Sequence, residues 1–268
     1  MVRERYARVR SKNHSCAPLR NRNNGIGPFP IRSLVRLGSV TETEVAFPKS
    51  YGKYTIIEVN TVESIQNSRS KLMMKACFDK SEVKQSAWWT NHDDYGVKFV
   101  DHYPILAKRV FGFKGKGMIK IDSEEQLEEF INNTTQAQLD GYYFEKFHNY
   151  AKEYRLHCTK DECFMTWRKL RKEDAEDRWF FNSSNCNWVN ENHELFDKPS
   201  NWDLVVEECC KAIDAVGLDI GCVDLRIQSS KKDNPEFIVV EVNSAPSLGE
   251  QGVQAYKEKI TEIINNKI

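Results

Sequence analysis

The stretch spanning residues 218–249, LDIGCVDLRIQSSKKDNPEFIVVEVNSAPSLG, constrains the possible fold more than any other part of the chain. Its alternation of polar and apolar residues predicts two strands, at 222–227 and 237–243, joined by a polar turn. Successive side chains of a strand point to opposite faces, so Asp224 and Arg226 share a face. The second strand is apolar on both faces, which is typical of a buried sheet.

Three oxygen-bearing side chains of these strands are predicted to converge: Asp224 on the first strand, and Glu241 and Asn243 on the second. A buried carboxylate is costly unless it is paired or bound to a metal ion. Oxygen ligands suit Mg²⁺, which usually takes a few protein oxygens together with substrate phosphates. The pattern therefore favours a site for Mg²⁺ and a nucleotide, although an ordinary hairpin with a solvated polar face is the simpler alternative.

A glycine-rich loop lies between two extended runs, at 105–110 and 118–121. Glycines let the backbone approach a phosphate chain closely and offer N–H groups to it, while lysines add positive charge. A strand follows the loop, so it is not the dinucleotide-binding fingerprint, and a simple turn remains the alternative. The loop residues predicted to contact phosphate are Gly112, Lys114, Gly115, Lys116 and Gly117.

Together these motifs resemble the ATP-grasp ligases. The sequence G-x-V-D at 221–224, followed by E-V-N-x-x-P-S-L at 241–248, is similar to their C-terminal signature, and most similar to the ribosomal-protein S6 glutamate ligase and D-alanine–D-alanine ligase branches. The resemblance implies an α+β fold in which two lobes grip ATP, preceded by a reduced pre-grasp region. It places that region at 1–100, a small lobe with the glycine-rich lid at 101–148, and a large lobe with the Mg²⁺ site at 149–268.

The resemblance also implies how ATP is held. Asp224, Glu241 and Asn243 match the metal ligands of the family, where Mg²⁺, or Mn²⁺ in its place, accompanies ATP. The residues expected to contact the phosphates are Lys71, in the pattern N-x-x-x-K, and Lys108. The residues expected to contact adenine are Glu145 and the backbone of Lys146, Phe147 and His148, and Glu153 is expected to accept from the ribose hydroxyls.

Four further residues are expected near the reaction centre by the same resemblance. Arg155 corresponds to the arginine of the E-x-R pair, and Arg226, on the face of Asp224, would hold the acyl phosphate or the acceptor. Arg168 is chosen over Lys169 and Arg171 as the residue beside the transferred phosphate, together with Asn182.

The implied reaction is ATP-dependent amide formation. A carboxylate substrate attacks the γ-phosphate to give an acyl phosphate and ADP, and an amine acceptor (an amino acid, a peptide or a protein terminus) then displaces phosphate. Two alternatives are a nucleotide-binding regulatory module without ligase activity, because the pre-grasp region is short, and a kinase-like phosphotransferase.

Composition narrows the class of partner. The chain has 39 Lys and Arg and 39 Asp and Glu, so nothing in its net charge favours nucleic acid. No apolar run approaches the roughly 20 residues that span a bilayer, and the N-terminus lacks the apolar segment of a signal peptide. Eight cysteines without C-x-x-C spacing favour reduced thiols over a zinc site. We therefore predict a cytoplasmic protein, located in the host cytoplasm if it is phage-encoded.

Periodicity predicts the remaining elements. Residues 1–30 show none and are expected to be irregular. Short strands are expected within 31–40, 43–47 and 54–59, and a hairpin is expected to turn at 159–162 with Cys158 facing Cys163. Helices are predicted at 60–81, 123–131, 202–216 and 253–264.

Overall fold

The structure is a computed structural model of the 268-residue chain and describes residues 33–37, 50–51, 54–90, 102–111, 117–175, 179–181, 185–229 and 232–267. In chain order the elements are β1 (Ser33–Leu37), β2 (Ser50–Tyr51), β3 (Tyr54–Val59), α1 (Val62–Arg69), α2 (Lys71–Lys80), β4 (Trp88–Thr90), β5 (Ile105–Arg109), β6 (Ile119–Ile121), α3 (Glu124–Asn132), α4 (Gln136–Leu139), β7 (Tyr142–Lys146), β8 (Lys152–Cys158), β9 (Cys163–Arg171), β10 (Cys186–Asn190), α5 (Trp202–Ala215), β11 (Gly221–Ile227), β12 (Phe237–Asn243) and α6 (Glu250–Asn266). The predicted irregular region 1–30 and the strand predicted at 43–47 lie outside the described residues.

The larger sheet has five antiparallel strands in the order β10-β9-β8-β11-β12. The β11–β12 hairpin confirms the two strands predicted from the stretch 218–249. The predicted β8–β9 hairpin is also present: the Thr159 N–H donates to the Glu162 carbonyl oxygen over 2.9 Å, and Cys158 lies opposite Cys163. Both cysteines are free thiols.

One face of the large sheet is apolar and packs against α5. Leu156 and Leu225 point to this face from neighbouring strands and are fully buried with Ile213 of the helix. Burying side chains of this size stabilises a fold by roughly 1.5–3 kcal/mol each. Gly217 ends the helical segment at φ +76°, a conformation that glycine adopts without strain, so the predicted stop of this helix is confirmed. Alternation leaves the opposite face of the sheet for polar residues.

The smaller sheet has four antiparallel strands in the order β4-β7-β5-β6. Its apolar face is covered by α3, where Leu127 packs against Ile105 and Phe144. The Ser123 hydroxyl caps this helix by accepting from the Gln126 N–H over 3.4 Å. The other face of the small sheet carries charged residues from β5 and β7.

The single helix predicted at 60–81 is wrong, because two helices occupy this segment. Ser70 separates them in an extended conformation (φ −79°, ψ 118°), and its hydroxyl accepts from the Met73 N–H to start α2. Serine competes well for backbone N–H groups at helix starts, so it favours a new helix here over continuation. Asn60 lies before α1 with φ +61°, and Thr61 caps that helix by accepting from the Ser64 N–H.

The first part of the chain contacts the cores of the molecule and contributes a strand to the small sheet. β3 and α6 share a third apolar core that includes Val59, Ile220 and Tyr256, while α2 contributes Phe78 to the core beneath the large sheet. β4, which precedes residue 101, belongs to the small sheet. The domain boundaries implied by the sequence stay predictions. Among the described residues, no helix combines the length and apolar character needed to cross a membrane.

Candidate active site

Two carboxylates and an arginine meet on the polar face of the large sheet. Asp224 on β11 lies opposite Glu241 on β12 and, on its other side, opposite Arg155 on β8. Arg155 donates to both oxygens of Asp224, from Nε to Oδ1 and from Nη2 to Oδ2, each over 2.7 Å. Burial opposes the charge of Arg155, but the bonds to Asp224 outweigh it and raise the pKa of the guanidinium. The buried Asp224 carboxylate is therefore neutralised by a fixed cation.

Glu241 is held by residues of two different elements. Lys71, at the start of α2, forms an ion pair with one oxygen, and the Asn243 amide donates to the other over 3.2 Å. Burial would raise the pKa of Glu241, but Lys71, Asn243 and the nearby Lys108 hold it well below its usual range. The predicted metal ligands are thus brought together, and the predicted phosphate-binding Lys71 lies beside them.

The donor set fits a hard cation. Asp224 and Glu241 offer carboxylate oxygens, and Asn243 offers its carbonyl oxygen once its N–H₂ group is engaged by Glu241. No group of three or more His, Cys, Asp or Glu arranged for metal binding occurs among the described residues. A cation binding here would compete with Lys71 and Arg155 for the carboxylates.

A second charged cluster lies on the small sheet. Glu145 on β7 forms an ion pair with Lys108 on β5 through one oxygen and lies 3.2 Å from Lys75 Nζ on α2 through the other. Burial alone would raise the pKa of Glu145, but the two ammonium groups lower it to about 2. The Glu145 side chain is thus occupied by lysines, which corrects the expectation that its carboxylate faces the adenine slot.

This lowered pKa predicts a loss of stability in acid. The folded pKa of Glu145 is about 2 against an ordinary value of 4.5, so the unfolded chain binds its proton first as pH falls. Its contribution is complete above about pH 5, and lowering the pH from about 5 to 3 should reduce the free energy of unfolding by roughly 2 kcal/mol through this group. Urea denaturation at both pH values measures this change in the free energy of unfolding.

The double variant K75M/E145Q is the control for the acid prediction, because glutamine does not titrate. Its free energy of unfolding should fall less between about pH 5 and 3 than that of the wild type. Glu241, whose pKa is also lowered, is present in both proteins, so each should keep part of the pH dependence. The same pH dependence in both proteins would contradict the assignment.

The backbone after β7 offers two groups to a ligand. The N–H groups of Lys146 and Phe147 are already used: they donate to the carbonyl oxygens of Ala87 and Pro104, each over 2.9 Å. The Lys146 carbonyl accepts from Ser86 Oγ and retains a second lone pair, and the His148 N–H has no partner within the described part of the chain. The backbone contact to adenine that was predicted for residues 146–148 therefore applies to the Lys146 carbonyl and the His148 N–H.

Glu153 and Arg226 lie between the two clusters. Glu153 on β8 forms an ion pair with Lys169 on β9 and lies 3.9 Å from Arg226 Nε. Burial raises the pKa of Glu153, although Lys169 opposes this effect. The Arg226 guanidinium donates to the Tyr150 carbonyl over 3.0 Å and lies 5.9 Å from the Phe147 ring centre. It therefore packs beside the segment that connects β7 of the small sheet to β8 of the large sheet.

The Arg168 side chain does not lie on the polar face of the large sheet. In the β8–β9 register Arg168 lies opposite Tyr154, on the apolar side, and its guanidinium binds Asp197 and the Leu195 carbonyl. Lys169, the neighbour that was passed over, lies opposite Glu153 on the polar face, 3.9 Å from Asp224. Strand alternation separates the two residues, so the choice of Arg168 over Lys169 is corrected.

The sequence prediction also missed Lys75 and Trp188. Trp188 on β10 lies opposite Lys169, and its ring contacts two cations, with Lys169 Nζ 4.9 Å and Arg155 Cζ 4.8 Å from its centre. The turn at 159–162 could not identify Lys169, because it pairs Cys158 with Cys163, and only the one-residue register shift after His157 brings Lys169 rather than Arg168 opposite Glu153. Nothing in the sequence marked Lys75.

Most of the glycine-rich loop lies outside the described residues, including Gly112, Lys114, Gly115 and Lys116. Asn182 lies outside them as well. Gly117, which is described, has φ +72°, and a Cβ there would lie 2.8 Å from Arg109 Nε. Only glycine fits this position without strain, which agrees with a tight connection into β6.

No protein-family model matches the sequence, and no curated protein sequence matches it significantly. Solved structures do match. The ATP-grasp ligase PsnB complexed with a minimal precursor superposes with TM-score 0.55 at 16% identity, over 80% of this chain and 65% of that one. D-alanine–D-alanine ligase from Bacillus anthracis complexed with ATP gives TM-score 0.57 at 14% identity, over 78% and 70%.

The chain has the ATP-grasp fold. Carboxyaminoimidazole ribonucleotide synthase from Aspergillus clavatus complexed with ATP also matches, with TM-score 0.58 at 15% identity, over 79% of this chain and 55% of that one. The α+β fold class implied by the sequence is thus confirmed. The chain spans about two thirds of the length of PsnB and just over half of the synthase.

Proposed function

We propose that this chain is an ATP-dependent carboxylate–amine ligase that forms an amide bond through an acyl phosphate and releases ADP and phosphate. One observation carries the proposal: the paired carboxylates of the large sheet and the lysines of α2 and β5 lie in one polar region between the sheets. That arrangement suits a nucleotide whose phosphates need both a cation site and fixed positive charge.

Asp224, Glu241 and Asn243 would hold the Mg²⁺, or Mn²⁺, that accompanies ATP. When bound, the metal supplies charge neutralisation and Lewis-acid polarisation of phosphate oxygens. Without metal, Lys71 pairs with Glu241 and Arg155 pairs with Asp224. When the metal binds these carboxylates, each of the two basic residues would turn to a phosphate oxygen. Lys108 would contact the α- and β-phosphates.

The remaining residues would orient the substrates. The Lys146 carbonyl and the His148 N–H would accept from and donate to the adenine edge, and Glu153 would accept from the ribose hydroxyls. Arg155 and Lys169 lie beside Asp224 and would offset charge as the substrate carboxylate takes the γ-phosphoryl group. In this proposal Lys169 replaces Arg168, and Arg226 would steady the acyl phosphate or the acceptor.

The solved relatives support the choice of ligands. PsnB was solved with a precursor, Mg and ADP, and D-alanine–D-alanine ligase with ATP. We therefore propose a carboxylate substrate and an amine acceptor that is an amino acid, a peptide or a protein terminus. Seven free cysteines among the described residues fit the cytoplasmic location expected from the sequence.

Product analysis tests the proposed function. With Mg²⁺ and ATP, a mixed pool of amino acids and short peptides should yield ADP and free phosphate in equal amounts, with a new amide product detected by mass spectrometry. A kinase-like enzyme would release ADP without matching phosphate. A regulatory module would release neither product, although ATP would still raise its melting temperature. Either of these outcomes contradicts the proposal.

A further inference from the structure

Lys75 is a fully buried lysine with no role in the proposed reaction. Its side chain is 1% exposed, and it lies on α2 one turn after Lys71. Residues four apart share a helix face, yet these two lysines reach different sheets: Lys71 binds Glu241 on the large sheet, and Lys75 approaches Glu145 on the small sheet. The helix thus connects the two charged clusters.

Packing alone does not explain a buried ammonium group at Lys75. Burying a charge is costly, and burial is the main cause of the lowered pKa of Lys75. The neighbours Met74 and Phe78 are apolar core residues, so a methionine would fill the same space without that cost. The partner is Glu145, whose carboxylate is also bound by Lys108. The feature to explain is therefore one carboxylate shared by two lysines.

Sharing changes what Lys108 can do. A carboxylate with a single lysine partner forms a neutral pair that keeps the ammonium bound. With Lys75 present the group carries a net positive charge, because two ammonium groups surround one carboxylate. Lys75 is buried, whereas Lys108 is 16% exposed at its side chain, so the excess charge is available to a ligand at Lys108.

We propose that Lys75 is a positioning residue: by sharing Glu145, it keeps the Lys108 ammonium available to the phosphates of a bound nucleotide. This inference rests on the proposed nucleotide site. Lys75 itself would touch no phosphate. Its contribution would reach ATP through Glu145 and Lys108 only, so it should vanish when Glu145 cannot hold Lys108.

The test is a set of calorimetric titrations with Mg-ATP. K75M leaves Lys108 as the sole partner of Glu145, and its Kd for Mg-ATP should rise about 10-fold, the loss expected for one weakened charge-assisted hydrogen bond. The double variant K75M/E145Q removes the competing carboxylate and should bind within about threefold of wild type. K80M is the matched control, since Lys80 ends the same helix in solvent, and it should bind as wild type.

Two further measurements separate positioning from a structural role. Adenosine carries no phosphate, so its Kd should be the same for wild type and K75M. General damage to the site would instead raise the Kd of adenosine for K75M. If K75M fails to fold, K75Q takes its place in the test. It retains an uncharged donor for Glu145 and should show the same loss of Mg-ATP affinity.

The outcomes distinguish the inference from the proposed function. If wild type does not bind Mg-ATP, the proposed function fails. If wild type binds but K75M or K75Q binds equally well, or if K75M/E145Q is as weak as K75M, Lys75 does not act through Glu145 and the inference is overturned.

Discussion

Replacing Glu241 with glutamine should reduce ATP-dependent ADP formation by about 1,000-fold, an effect of the size expected when a metal clamp on transferring phosphate is lost. Glutamine keeps the shape of the side chain but removes the charge that a cation needs. Lys71, its present partner, is half-buried near the surface, so it can turn to solvent and the fold should persist. Steady-state ADP release with saturating substrates measures the loss.

The control for E241Q is E207Q, the same substitution at an exposed position of α5. It should leave ADP formation unchanged. E207Q should melt as the wild type does, whereas E241Q should melt lower but remain folded at the assay temperature, because the lowered pKa of Glu241 shows that its charge contributes to stability. An active E241Q, at any Mg²⁺ concentration that supports the wild type, would exclude Glu241 as a metal ligand.

Asp224 gives a less direct test of the same site. Its carboxylate is the bidentate partner of Arg155, and both groups are largely buried. Removing one partner of a buried pair costs about 3–5 kcal/mol, because the other charge is left unpaired. A loss of activity in D224A would therefore combine a missing metal ligand with a weakened fold, whereas E241Q separates the two effects.

The metal-site strands could be predicted from sequence because two independent patterns agree there. Alternation fixes which side chains share a face, and the apolar character of 237–243 shows that the sheet is buried. Asp224 and Glu241 then have to lie on neighbouring strands with little water around them. The structure shows these residues opposite each other.

The partners of the charged residues could not be predicted in the same way. Lys75 meets Glu145 because α2 packs between the two sheets, and no local pattern reports the packing of a helix 70 residues away in sequence. The error at Arg168 has another cause: adjacent basic residues differ only by the face they occupy, and one step along a strand reverses that face.

Glu145 shows that a motif can name a residue without showing which of its atoms is available to a ligand. It lies near the end of β7, before the segment that leads to β8. Its side chain, however, is used inside the small sheet by Lys108 and Lys75, while the backbone groups at Lys146 and His148 remain for a ligand. A sequence motif reports spacing along the chain, not which atom of a residue faces the ligand.

A large effect on stability is also expected at Asn60, a buried residue that precedes α1. Its side-chain oxygen accepts from the N–H groups of Asp219 (2.9 Å) and Ile220 (3.1 Å), and its amide donates to the carbonyl oxygens of Ile220 (2.8 Å) and Ser244 (3.5 Å). These bonds join the entry of β11 to the exit of β12. N60A leaves buried backbone groups unpartnered and should lower the free energy of unfolding by about 4 kcal/mol.

Three substitutions separate the causes at Asn60, whose φ of +61° also disfavours alanine. N60G relieves that backbone strain but keeps the loss of hydrogen bonds, so it should remain nearly as destabilised as N60A. N60D retains both acceptor bonds but places a buried carboxylate oxygen against the Ile220 and Ser244 carbonyls, so it should be at least as destabilised as N60A. N67A removes a single bond of 3.3 Å, to the Val216 carbonyl, and should cost about 1 kcal/mol.

Thermal and urea denaturation would rank these variants. N60A should melt about 10 °C below wild type if each kcal/mol lowers the midpoint by roughly 2–4 °C in a chain of this size. Because the bonds of Asn60 connect the ends of the strands that carry Asp224 and Glu241, N60A should also weaken Mg-ATP binding at temperatures where it is still folded. If N60A and N67A had equal midpoints, Asn60 would not be the residue that fixes these strand ends.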